Sequence, residues 1–81
     1  VKRTGRDRFI RNVLIAIGNS GDETLAESAA ARLDDASALV RGAAIWALAR
    51  LLDPQEFGAL AAARLDGEAD AEVAAEWRRA L

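Results

Sequence analysis

Arg8, Arg11, Asn12 and Asn19 are the side chains of this chain whose types and spacing best suit contact with a ligand. At 100° per residue they share one sector of a helix with Ile15, opposite a stripe of Ile10, Val13, Leu14 and Ile17. A guanidinium presents a rigid fork of donors that matches phosphate oxygens, and a carboxamide reaches sugars or phosphates. The face therefore suits a nucleic-acid backbone better than it suits base-specific reading. Lys2, Arg3 and Arg6 extend it upstream. The competing reading is a solvated face on a terminal helix that pairs with another part of a longer chain.

Other chemistry is excluded or weak. The 81 residues contain no Cys and no His, so this chain can supply no thiolate or imidazole metal site, Cys or His nucleophile, disulfide or iron-sulfur cluster ligand. Acids cluster at Asp34 and Asp35 and again at Asp66, Glu68, Asp70 and Glu72, in turns and at expected helix starts, where they complement the helix dipole. The spaced acids, central Gly and terminal Glu of a calcium loop are missing. The run Gly18 to Gly21 precedes a helix, but it also follows one and has no P-loop Lys, so it reads as a turn. Trp46 either packs beneath a neighbouring helix or stacks on a base, and packing is the favoured reading. Arg41 is expected to join a structural ladder with an acid such as Asp34 or Asp35.

The elements that must position these residues are helices. Ala, Leu, Arg and Glu fill most of the chain, Tyr is absent, and apolar residues recur at three and four. An all-α fold of about five short helices is the consequence. The first is expected over roughly Gly5 to Ile17, closed by the Gly18, Asn19, Ser20, Gly21 cluster. Asp22 opens a second running to about Leu33, with Leu25, Ala29 and Leu33 inward, and Ser37 caps a third running to about Leu52. In that third helix Val40, Ala43, Ala44, Ala47, Leu48 and Leu51 form the core stripe. Asp53, Pro54 and Glu56 combine a capping box with a first-turn proline and start a fourth helix, reaching Leu65 with Phe57, Leu60, Ala61 and Leu65 inward. Asp70 caps a fifth that carries Val73, Trp77 and Leu81. Each is too short to be stable alone, so packing must hold them.

Two copies of AAARLD, at Ala29 to Asp34 and Ala61 to Asp66, lie thirty-two residues apart. The residues after each copy correspond as well, with Val40, Ala44, Ala47 and Leu48 matched by Val73, Trp77, Ala80 and Leu81. Two helices per period of this length predict a HEAT-like α-solenoid of two to two and a half repeats, with residues 1–81 as one domain. A domain this small buries only about 60% of its unfolded surface. The longest wholly apolar run, Ala43 to Ala49, is far short of the ~20 residues a membrane-spanning helix needs, so no membrane partner is expected. The formal charge of -2 hides a split: residues 1–11 hold five cations against one acid, and the remainder six Arg against twelve acids. The basic end attracts polyanions. A chain without Met that opens at Val1 within a basic run is expected to be a piece of something longer.

The run KRTGRDRFIRNVLIAIGNSGD at residues 2–22, LVRGAAIWAL at 39–48, and Glu76 with Trp77 resemble the C-terminal HEAT-like repeat region of epoxyqueuosine reductase. The family's Arg-Asn pair falls on Arg11 and Asn12, its Ala-x-Gly-Asn on Ala16 to Asn19, its Val-Arg on Val40 and Arg41, and its Trp-Ala-Leu on Trp46 to Leu48. Beyond Pro54 the likeness is of generic HEAT character. The resemblance implies a cytoplasmic parent enzyme that removes the epoxide oxygen of epoxyqueuosine in tRNA, the last step of queuosine synthesis, with a cobalamin and two 4Fe-4S clusters. No cofactor is expected in this chain, because the family's cluster cysteines and catalytic acid lie upstream. This piece would supply tRNA backbone contacts from Lys2, Arg3, Arg6, Arg8, Arg11 and Asn12, and would abut the parent's catalytic domains. The alternatives are a HEAT-repeat module for protein-protein interaction and a brace for the catalytic portion.

Overall fold

The computed structural model describes the backbone of residues 3–81 and the side chains of residues 5–81. Five α-helices occur in the order α1 (Arg3–Asn19), α2 (Ala26–Ala30), α3 (Ala38–Leu51), α4 (Pro54–Arg64) and α5 (Ala71–Ala80), with 3-10 turns at Glu23–Leu25 and Leu65–Gly67. Among the described residues there is no strand, and no helix is long and apolar enough to cross a membrane.

Local chemistry explains most of the boundaries. Asp53 accepts a hydrogen bond from the Glu56 amide while the Glu56 carboxylate accepts one from the Asp53 amide, and Pro54 needs no partner in the first turn. Ser37 accepts from the Val40 amide to start α3, and Asp70 accepts from the Glu72 and Val73 amides to start α5. The second helix is shorter than the expected run to Leu33. Asp22 takes both the amide and the hydroxyl of Thr24, which draws the chain into a 3-10 turn before α2 begins. At the far end Arg32 and Leu33 donate to carbonyls only three residues back, so α2 unwinds at Ala30.

The expected first helix is longer in the structure. It continues through Gly18, and the left-handed residue that turns the chain is Gly21, at φ 70°. Gly18 serves a different purpose. A Cβ there would lie 2.5 Å from Cζ3 of Trp46 and 3.0 Å from Cα of Ala47, so the missing side chain lets α1 close on α3.

Packing places α3 at the centre, in contact with α1, α2, α4 and α5. Its charged residues are confined to Arg41 and Arg50, and six of its fourteen residues are buried: Val40, Ala44, Ile45, Ala47, Leu48 and Leu51. Around them gather Leu14, Ala29, Leu33, Phe57, Ala61, Val73 and Trp77. The rings of Phe57 and Trp77 meet at 5.4 Å and join α4 to α5. The Cα envelope of 38 × 29 × 17 Å is a slab, thin enough for two layers of helices at the usual 8–10 Å spacing.

Two expected core positions are exposed, and one unexpected position is buried. Val13 is 42% exposed and Leu81 67%, because α1 turns Ile10, Leu14 and Ile17 inward rather than Val13, and α5 ends at Ala80. Ile45 is buried in addition to the expected stripe, since neighbours cover α3 on more than one side. The AAARLD copies occupy corresponding places at the ends of α2 and α4. Thirty-three residues also separate the caps Ser37 and Asp70, the buried Val40 and Val73, and the acids Asp35 and Glu68, each of which accepts from the amide of the following cap.

Candidate nucleic-acid interface

The flank of α1 expected to carry the basic face is solvent-facing. Arg8, Arg11 and Asn12 are exposed, and neither Arg8 nor Arg11 enters an ion pair among the described residues. Ile15 is half-buried beside them. Lys2 lies outside the described residues, as does the side chain of Arg3.

Arg6 is placed differently. Its guanidinium donates to both carboxylate oxygens of Asp35, at 2.6 and 3.3 Å, and to Asp7 at 2.7 Å. Those hydrogen bonds raise the Arg6 pKa, and the same contact with Arg6 holds the Asp35 carboxyl below its ordinary value. Asp35 also accepts from the amide of Ser37, so Arg6 fastens the start of α1 to the turn that opens α3. Arg41 repeats the device one step along. Its Nε and Nη2 bind the two oxygens of Glu68 at 3.1 and 3.0 Å, and Nη1 donates to the carbonyls of Asp35 and Ala36. The acid partner is thus Glu68 rather than the expected Asp34 or Asp35, and only the backbone of Asp35 is touched. Asp34 pairs with Arg64 at 2.8 Å, which lowers its pKa, and the Arg41 contact lowers that of Glu68.

Arg11, Ile15 and Asn19 form one wall of an open groove of about 610 Å³ between α1, α3 and α5. Its floor is Leu39, Gly42, Ala43 and Trp46 of α3, and Asp70, Glu72 and Glu76 stand opposite. Trp46 is half-buried and packed against the core, in agreement with the packing reading, and it also lines the groove. Arg50 lies over its ring at 5.1 Å from the centroid and donates to the Gly18 carbonyl at 3.1 Å, which closes the end of α1 onto α3.

The cationic and acidic walls were not visible as a pair in the sequence. Glu72 and Glu76 are four apart on one helix face, which is a readable signal, but only packing brings that face beside Arg11. The acids repel phosphate from their own wall, so phosphate contacts fall on the Arg8, Arg11 and Asn12 side. Phe9, 70% exposed, and Val13, which the periodicity had assigned to the core stripe, form a second exposed strip on α1.

Two curated relatives carry the name epoxyqueuosine reductase. The protein from Alicycliphilus denitrificans is 40% identical, with 62% of this chain and 16% of the relative covered. That from Xanthomonas campestris pv. campestris is 39% identical, with 62% of this chain and 14% of the relative covered. The chain therefore spans about a sixth of the length of the epoxyqueuosine reductases it matches. No family model matches the chain, and no solved structure does. Among the described residues no three His, Cys, Asp or Glu side chains converge on a point that could hold a metal ion. With neither Cys nor His, the chain can supply no thiolate to an iron-sulfur cluster and no imidazole to a cobalamin.

Proposed function

We propose that this chain is the tRNA-docking helical portion of an epoxyqueuosine reductase, working in the cytoplasm, with α2–α3 and α4–α5 as HEAT-like repeats and α1 as the preceding half. The observation that carries the reading is the exposed Arg8, Arg11 and Asn12 flank, in a chain about 40% identical over part of its length to two proteins named epoxyqueuosine reductase. In this role Arg8 and Arg11 bind phosphate oxygens and Asn12 a sugar or phosphate, with Lys2 and Arg3 adding positive potential from the same end. Arg6 acts by positioning, since its guanidinium is committed to Asp35 and sets the angle at which α1 presents the flank. The removal of the epoxide oxygen, with the cobalamin and 4Fe-4S clusters the resemblance implies, belongs to other parts of such an enzyme.

The test is a tRNA titration of the full-length reductase at several salt concentrations. Binding should weaken as salt rises, and each of Arg8→Ala and Arg11→Ala should reduce the log-log slope by about one unit. Unchanged affinity and slope in the double variant would sink the proposal. The exposed Phe9 and Val13 favour a second reading, a brace packed against the catalytic portion. Under that reading a Phe9→Ser, Val13→Ser double variant lowers the thermal midpoint of the full-length enzyme and leaves tRNA affinity intact.

A further inference from the structure

The groove between α1, α3 and α5 has features that backbone docking does not use. Gly42 lies in the middle of α3, where glycine weakens a helix relative to alanine. Packing does not require it: a Cβ at that position meets nothing within 4 Å. What the absent side chain does is keep the floor of the groove deep between Leu39 and Trp46. The Trp46 ring is held in place by Arg50 and by the backbone of Gly18, so the floor is rigid as well as apolar.

The walls are of opposite sign. Arg11 offers a forked donor on one side. On the other, Asp70 is occupied in capping α5 and Glu76 is paired with Arg79, which leaves Glu72 as an exposed carboxylate in no ion pair among the described residues. A basic peptide would meet Glu72 but leave the Arg11 fork without an acceptor. A nucleotide satisfies both walls, with its phosphate toward Arg11, the face of its base on Leu39 and Trp46, and N–H donors toward Glu72. Guanine is the base whose pairing edge presents two adjacent N–H donors, the match for a single two-oxygen acceptor.

We propose that this groove receives an unpaired guanine of the bound RNA, recognised by Glu72 over the Leu39, Gly42 and Trp46 floor. The proposal rests on the tRNA-docking reading and adds base selection to it. It is tested with the full-length protein and two RNA hairpins that share one stem, one with an all-uridine loop and one with a single guanosine in that loop. The guanosine hairpin should bind about tenfold more tightly, within the range expected for one bidentate contact to a base. Glu72→Gln, which replaces one acceptor oxygen by a donor amide, should cut the preference to below about threefold. Gly42→Ala should raise the thermal midpoint and still reduce the preference, so that the loss cannot come from unfolding.

Equal binding of both hairpins, with affinity still falling as salt rises, overturns the guanine site and leaves backbone docking intact. Binding of neither hairpin overturns both readings. A guanosine preference that survives both Glu72→Gln and Gly42→Ala places the selecting residue elsewhere and overturns the assignment. An Arg-rich peptide that binds in a Glu72-dependent way, without any guanosine preference, overturns it in favour of a protein partner.

Discussion

Gly18 shows how one residue sets the geometry of the basic flank. Its Cα hydrogens face the Trp46 ring, and any Cβ would force α1 and α3 apart. Gly18→Ala is therefore expected to cost about 1–3 kcal/mol despite alanine's better helix propensity, the range for overpacking a well-fitted contact. In a domain of this size each kcal/mol lowers the thermal midpoint by about 4–8 °C, which a melting curve will read. Arg41 is the second residue with a testable role. Its fork spans Glu68 and two backbone carbonyls, so Arg41→Ala should cost about 1–3 kcal/mol. Arg41→Lys should recover only part of that, since one ammonium cannot reproduce the bidentate pair. Chemical denaturation of the three proteins checks the order.

At the scale of elements, the helix starts were the most legible features and the helix faces the least. Asp53, Pro54 and Glu56 announce α4 because a cap is made by residues within one turn, and the structure contains that cap in full. Asp53→Ala should cost about 1 kcal/mol through loss of the side-chain acceptor, seen as a lower denaturation midpoint with the same denaturant dependence. Asp22 looked like a cap of the same kind, yet its bond to the Thr24 hydroxyl favours the tighter 3-10 start and α2 shrinks to five residues. Faces depend on neighbours. Of the stripe expected on α1, Ile10, Leu14 and Ile17 face the core and Val13 does not, because α3 lies against the side that carries Leu14 and Gly18. In α3 the periodicity marked the main stripe but could not show Ile45, since a helix covered by several others has no single inward face.

The whole molecule is tied together by ion pairs between successive elements: Arg6 with Asp35, Arg64 with Asp34, and Arg41 with Glu68. In each pair the acid's pKa is lowered in the folded state. The folded chain therefore binds fewer protons than the unfolded one below about pH 4–5, where free Asp and Glu titrate, and stability must fall as pH falls through the depressed values. Above about pH 5 that stabilisation is fully present. With no His or Cys in the chain, no side chain with an ordinary pKa between about 5 and 8 is available to change it further. Thermal midpoints should be flat from about pH 5 to 8 and drop steeply below about pH 4. A midpoint that stayed level down to about pH 3 would show that the three pairs contribute nothing. High salt should flatten the acid limb least for Arg41 and Glu68, the most shielded pair.

The amino-acid sequence alone determined the helical class, the caps, the thirty-two-residue repetition and the concentration of cations in the first eleven residues. All of these depend on contacts within a turn or on composition, which short-range physics decides. Which cations remain available was decided by the tertiary structure. Arg6 and Arg8 are two residues apart and chemically alike, yet Arg6 meets Asp35, twenty-nine residues away, while Arg8 faces solvent. The groove is tertiary in the same sense. Arg11, Gly42 and Glu72 are spread over sixty residues, and they become one surface only because α3 buries itself between α1 and α5.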